Sequence, residues 1–264
     1  MAREKELKKL EERLIKQIAR TSINYALLEP DDRILVAVSG GKDSWSMLYL
    51  LEQLRKRLPF SVELIAFHVD QCQPGYDGRP LRDFLASFSV PYKIVKEDTY
   101  QIVQKYAKAG ATTCPVCSRL RRGIIYTWAE RLQCNKIALG HHRDDAVITL
   151  LLNIFFQGRI QGMPAKYRTD DGRFEVIRPV IEIPEEKLAR FAKLMGFSVL
   201  PCTICSSQPD HKRTVMAKLL SELERRHPHI KDVLFSALKR VRPTHLLDKE
   251  LLRICKEQPR DSEE

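Results

Sequence analysis

No uninterrupted apolar run in the sequence approaches the ~18 residues that a membrane-spanning helix needs. The opening stretch, MAREKELKKLEERL, is charged where a secretory signal carries an apolar core. Both absences lead us to expect a cytoplasmic protein. Internal repeats and low-complexity tracts are also missing. An even set of cysteines is lacking too. The seven are Cys72, Cys114, Cys117, Cys134, Cys202, Cys205 and Cys255. An odd count argues against a disulfide framework and toward metal or redox use.

What is present is an ordinary globular balance. Of 264 residues, 44% are apolar and 30% charged, which excludes a disordered chain, a fibrous chain and a small disulfide scaffold. The charge sum is 45 − 34 = +11. A positive excess of that size suits a polyanionic partner such as nucleic acid, although a merely basic protein carries it equally well.

The order of elements points to an α/β fold, a parallel sheet with helices on both faces. Apolar positions at helical spacing predict a helix over about Lys5–Leu28, built on Leu7, Leu10, Leu14, Ile18 and Ala19. Short apolar runs predict buried strands at Arg33–Val38, Val62–Val69, Tyr92–Val95, Lys136–Leu139 and Glu175–Ile177. Between them, helices are expected at Trp45–Arg57, Leu81–Phe88, Tyr100–Ala107, Arg119–Leu132, Asp144–Phe156 and Pro184–Met195. Thr113–Ser118 reads as a cysteine-bearing loop, and 158–175 as a glycine-marked loop. We divide the chain into an N-terminal amphipathic helix (1–30), a nucleotide-binding and catalytic domain (31–210) and a basic helical C-terminal region (211–264).

Four segments carry chemistry. Ser39-Gly40-Gly41-Lys42-Asp43-Ser44 falls between a strand and a helix. Its backbone N–H groups and the helix N-terminus suit phosphate oxygens, and its glycines let the backbone approach closely. The spacing is not that of the Gly-x4-Gly-Lys-Ser/Thr loop. Cys114-Pro115-Val116-Cys117 and Cys202-Thr203-Ile204-Cys205 are two Cys-x-x-Cys pairs about 85 residues apart. They suggest one shared soft-metal site, zinc or iron–sulfur, with a redox pair as the alternative. The other three cysteines read as bystanders. Gly140-His141-His142-Arg143-Asp144-Asp145 follows a strand and opens a helix. Asp144 and Asp145 there could hold Mg²⁺ near phosphates or simply face the helix dipole, and His141 could contact phosphate or carry a proton. Asp70 ends the second strand at the same sheet edge. Finally, Arg119, Arg121 and Arg122 follow the first cysteine pair and suit RNA phosphate or pyrophosphate.

The hexapeptide Ser39–Ser44 matches the pyrophosphate-binding loop of the ATP pyrophosphatase, or PP-loop, superfamily. Taken with DQCQPG at 70–75, TTCPVCSRLRRG at 112–123, IALGHHRDD at 137–145, GMP at 162–164, IRP at 177–179 and PCTICSSQP at 201–209, the chain resembles the tRNA-cytidine 2-sulfurtransferases. It departs from their pattern at Ser206, where glycine is usual, and at Cys72, where a basic residue is common.

That resemblance implies an adenine-nucleotide α-hydrolase sheet and a specific activity. ATP adenylates the C2 oxygen of cytidine at position 32 of tRNA, and sulfur replaces that oxygen. The implied cofactors are ATP, Mg²⁺ and a [4Fe–4S] cluster held by Cys114, Cys117 and Cys205, with Cys202 in reserve. Asp43, Arg121 and Asp145 become the catalytic candidates. Ser39, Gly40, Gly41, Lys42, Asp43, Ser44, Asp70, Gly140 and His141 become the ATP-binding ones. The partners implied are the tRNA anticodon loop, a sulfur donor such as a cysteine desulfurase or sulfide, and a second copy of the chain. The rival readings are a 2-thiouridine-forming or persulfide-using PP-loop enzyme, a lysidine synthetase, and a zinc-stabilised RNA-binding module without catalysis.

Overall fold

The structure is a computed structural model and describes residues 1–108, 113–197 and 212–257. Its elements in chain order are α1 (Ala2–Asn24), β1 (Asp32–Ala37), α2 (Lys42–Arg55), β2 (Val62–Asp70), α3 (Arg79–Ser87), β3 (Tyr92–Lys96), α4 (Thr99–Lys108), α5 (Thr113–Arg131), β4 (Lys136–Ala138), α6 (Arg143–Gln157), β5 (Lys166–Arg168), β6 (Glu175–Ile177) and α7 (Glu185–Met195). After these come α8 (Lys212–Arg226), α9 (Ile230–Ala237), a 3-10 turn at Pro243–His245 and α10 (Lys249–Glu257).

Six strands form one sheet in the order β3-β2-β1-β4-β6-β5. All neighbours pair in parallel except β5, which runs antiparallel to β6 at the edge. The chain moves from β1 to β2 on one side and later returns to place β4 on the other. The carboxyl ends of β1 and β4 therefore flank a topological switch point, where open α/β sheets bind ligands. Val36 pairs with Ala138 across it.

Helices cover both faces because the inner strands are apolar on both. On one face Leu14, Ile15 and Ile18 of α1 pack with Met47, Leu48 and Leu51 of α2 and with Leu188 and Phe191 of α7. On the other, Ile124, Ile125, Trp128 and Ala129 of α5 lie over Leu35, Phe67, Ile137 and Val176. A third cluster joins Val147 and Leu151 of α6 to Met216 and Leu220 of α8. Burying each such aliphatic side chain contributes roughly 1.5–3 kcal/mol. At the amino-terminal edge of the sheet, away from the switch point, buried Lys136 is paired with Asp32 at 2.8 Å and Glu29 at 2.5 Å. That charge cluster is structural.

Two local expectations are corrected. Thr113–Ser118 is not a loop but the first turn of α5. Pro115 falls where a helix has no N–H partner to lose, so it starts the helix instead of breaking it. Part of the stretch read as a loop forms β5, a three-residue edge strand too short to show an alternation. The second cysteine segment, 201–209, lies outside the described residues.

Candidate functional site

The Ser39–Ser44 loop closes directly after β1. Val38 still holds the sheet by donating its N–H to the Phe67 carbonyl at 2.8 Å. Gly40 then takes φ +87°, a left-handed turn that favours glycine. Gly41 precedes α2 and supplies no side-chain cap. The loop ties itself together instead. The Ser44 hydroxyl donates to the Gly41 carbonyl at 2.9 Å and accepts from the Ser39 N–H at 3.1 Å. The first N–H groups of α2 have no intrahelical partner, and the positive helix end accompanies them. The β4–α6 loop packs against this turn at Gly140. A Cβ there would meet Ser44 Cα at 3.1 Å and Ser44 N at 3.2 Å.

Beside the loop, two carboxylates face one imidazole. His142 Nε2 lies 3.4 Å from Asp145 Oδ2 and 3.9 Å from Asp43 Oδ2. His142 and Asp145 also cap the start of α6 reciprocally. The His142 N–H donates to Asp145 Oδ2 at 3.0 Å, and the Asp145 N–H donates to His142 Nδ1 at 3.4 Å. The second bond leaves the proton of a neutral His142 on Nε2, toward the carboxylates. Asp145 also pairs with Arg213. Lys42 Nζ reaches Glu185 at 2.8 Å and Asp43 Oδ2 at 3.1 Å. Burial pushes the Asp43 carboxyl up despite His142 and Lys42. Its other oxygen, Oδ1, is buried with no hydrogen-bond partner among the described residues.

That bare oxygen fits a divalent cation, since Mg²⁺ is commonly held by one or two carboxylates plus substrate phosphates. Asp144 is engaged elsewhere. Its Oδ1 takes Arg143 Nε at 3.0 Å and its Oδ2 takes Lys231 Nζ at 3.1 Å. Burial alone would raise its carboxyl, but those two cations outweigh burial and hold it low. Among the described residues, no three His, Cys, Asp or Glu side chains form a metal centre of their own.

A cavity of about 610 Å³ opens over the switch point. Ser39, Gly41, Asp43, Ser44, Gly140 and His141 line one wall. Ser118, Arg121, Arg122, Ile125 and Tyr126 line another from a single face of α5. Phe67, Ile137, Leu139 and Val176 form an apolar floor, and Gln71, Gln73, Tyr76, Met163, Tyr167 and Arg178 complete it. Gly40, Lys42, Asp70, Asp144, Asp145 and Cys117 do not line it. Asp70 accepts the Cys72 N–H at 2.9 Å and shapes the turn after β2.

Two histidines in this wall are held neutral. Burial, then the charge of Arg178, lowers the His141 imidazole to about 4. Arg178 Nε donates to His141 Nδ1 at 3.3 Å, so the proton of His141 sits on Nε2. His68 is buried and likewise lowered. Its Nδ1 donates to the Val38 carbonyl at 2.7 Å, and its Nε2 accepts from the Tyr76 hydroxyl at 2.6 Å.

Sequence reasoning left out His142, Arg178, His68, Tyr76 and Gln71. His142 carried a signal, a polar residue three before an acid at a helix start, which is a capping pair. Arg178 carried one too, standing at the carboxyl end of β6. Tyr76 carried none, because its partner is eight residues away.

Cys117 is buried beside Val103, Tyr100, Val116 and Leu120. It stands in the opening turns of α5, with Cys114 one turn earlier in the backbone. A helix N-terminus favours thiolate, so this pair suits a soft-metal cluster. The other two proposed ligands, Cys202 and Cys205, lie outside the described residues. Cys134 is buried beneath α5 in an apolar cluster, its thiol pushed up to about 11 by burial.

The sequence matches the family model described as a PP-loop domain over residues 7–199. A tRNA-cytidine(32) 2-sulfurtransferase from Anaeromyxobacter dehalogenans is 47% identical over 94% of this chain and 86% of its own length. The chain belongs to the tRNA-cytidine(32) 2-sulfurtransferase family. A second member, from Alkalilimnicola ehrlichii, is 46% identical over 93% of this chain and 78% of its own length. Among solved structures, the U34-tRNA thiolase NcsA from Methanococcus maripaludis, determined with its [4Fe–4S] cluster, superposes with a TM-score of 0.67. It shares 22% identity and covers 94% of this chain and 89% of that one. At that identity the likeness concerns the fold. The Ser39–Ser44 turn lies within the residues matched by the PP-loop model. No helix among the described residues is long and apolar enough to cross a membrane.

Proposed function

We propose that this chain converts cytidine 32 of tRNA to 2-thiocytidine at the cost of ATP. One observation carries the reading. The helix that bears Cys114 and Cys117 also forms the wall facing the nucleotide loop, through Ser118, Arg121 and Arg122. This supports a nucleotide loop and a cysteine-bearing helix that serve the same cavity from opposite walls, with Cys117 set back from its lining.

The C2 oxygen of cytosine is a poor leaving group and must be activated. It attacks the α-phosphorus of ATP, the bond to the β-phosphate oxygen breaks, and pyrophosphate departs. The N–H groups of Ser39–Ser44, with Lys42 beside them, stabilise the charge gathered on pyrophosphate. Asp43, with Asp145 close by, would hold Mg²⁺ against the phosphates. His141, neutral and protonated at Nε2, donates a hydrogen bond without adding charge. Sulfur then takes C2, and AMP leaves with the original oxygen. Cys114, Cys117 and Cys205, with Cys202 as the alternative third ligand, would hold a [4Fe–4S] cluster, which would supply an open iron site for sulfur. Arg121 reaches the cavity and would steady either a phosphate or the activated base. An anticodon-loop base can be unstacked at modest cost.

The reading also implies a cysteine desulfurase or sulfide as donor, a homodimer and a cytoplasmic setting. The experiment is anaerobic reconstitution with iron and sulfide, followed by incubation with unmodified tRNA, ATP, Mg²⁺ and sulfide. Digested tRNA is searched by mass for 2-thiocytidine. Its formation, dependent on ATP and cluster, is the expected result. Lysidine or 2-thiouridine instead would change the substrate assignment. Thiolation by iron-free protein would favour a persulfide.

A further inference from the structure

Gln71 joins the cavity to the cysteine helix. It follows β2 directly and lines the cavity. Its Oε1 accepts from the Cys117 thiol at 3.5 Å and from the Thr99 hydroxyl at 3.3 Å. Its backbone carbonyl accepts the Tyr100 N–H at 3.2 Å. Side chain and main chain are thus both fastened to the start of α4, so the amide is held in place against a buried sulfur.

We propose that Gln71 is a positioning residue for the Cys117 sulfur, bonding it both as a protonated thiol and as a metal-bound thiolate. The proposal rests on the cluster reading above. A free thiol is a weak donor, so the amide presents its oxygen. A metal-bound thiolate carries no proton and accepts instead. Turning the amide over presents Nε2–H to the same atom, in a space that suits either end of the group. The Thr99 hydroxyl donates or accepts, so it follows either orientation. Hydrogen bonds to cluster sulfurs stabilise the reduced, more negative state and raise the reduction potential. Gln71 also faces the cavity, so ligand occupying that space presses on the residue that orients the sulfur.

The test uses the full chain, reconstituted anaerobically, with Gln71→Leu and Gln71→Glu. Midpoint potential is read by redox titration of the visible spectrum, and cluster loss by bleaching in air. Both variants are expected to titrate at a lower potential than wild type and to bleach faster. Gln71→Glu should shift further, because a carboxylate cannot donate and adds negative charge. In cluster-free protein, Cys117 of Gln71→Leu should be alkylated faster by iodoacetamide. A purely structural role would lower the melting temperature and leave the potential where it was. If Gln71→Leu fails to fold, the near-isosteric Gln71→Glu decides alone. Wild-type protein that takes up a cluster whose potential neither variant moves overturns the proposal. Wild-type protein that takes up no cluster overturns the cofactor reading and this proposal with it.

Discussion

Arg178 Nε donates to His141 Nδ1 at 3.3 Å, placing a permanent cation against an imidazole that already loses solvent to the cavity wall. Burial and that cation keep His141 neutral down to about 4. An unfolded histidine titrates near ~6.5. Between those two values the unfolded chain binds a proton that the folded chain refuses. The stability tied to His141 is therefore complete above ~6.5 and drains as pH falls toward about 4. Arg178→Gln should raise the His141 pKa, read from its imidazole resonances against pH. An unmoved titration would remove Arg178 as a cause.

Gly140→Ala should disturb the nucleotide loop. The added methyl would meet backbone atoms of Ser44, which cannot swing away as a side-chain tip can. Overpacking of this kind costs typically about 1–3 kcal/mol. We expect ATP affinity to fall at least ~10-fold, because a ~1.4 kcal/mol loss already gives that factor. Calorimetric titration with ATP reads it directly.

Asp43→Asn separates stability from chemistry. The Asp43 carboxylate is buried, its pKa is raised, and Oδ1 has no partner among the described residues. Replacing it by a neutral amide should raise the melting temperature. Pyrophosphate release in the presence of tRNA should fall by roughly 10²–10³-fold, because a neutral amide would no longer hold the Mg²⁺ that stabilises the developing charge. A variant that releases pyrophosphate at the wild-type rate would take Asp43 out of the site.

Cys114→Ala and Cys117→Ala should abolish thiolation and iron retention while leaving ATP binding near wild type. Cys134→Ala should keep its iron, since that thiol sits beneath α5 in an apolar cluster. Iron analysis of Cys202→Ala and Cys205→Ala identifies the third ligand. Retained iron in Cys205→Ala with loss in Cys202→Ala would reverse our assignment.

Much of this was legible in the chain because its signals are local. The nucleotide loop, the five parallel strands and the Gly140–Asp145 turn are each written in consecutive residues. The helical start of α5 was read as a cysteine-bearing loop, although the first helical turn tolerates a proline such as Pro115. Arg178, Tyr76 and Gln71 escaped for a different reason. Each acts through a partner brought near by the sheet, such as Cys117 for Gln71, 46 residues away. Asp144 and Asp145 both read as Mg²⁺ carboxylates in sequence, yet Lys231 of a distant helix claims the first. Only packing separates them.

The unbroken course of α5 has a mechanical consequence. Cys117 and Tyr126 stand nine residues apart on it, about 13 Å at 1.5 Å per residue. The helix is thus a ruler between the buried sulfur and the last residue it lends to the chamber wall. It is also a protractor. Inserting one residue between Cys117 and Arg121 would turn Arg121, Arg122 and Tyr126 by ~100° relative to the cysteines, aiming the sulfur and the chamber in different directions.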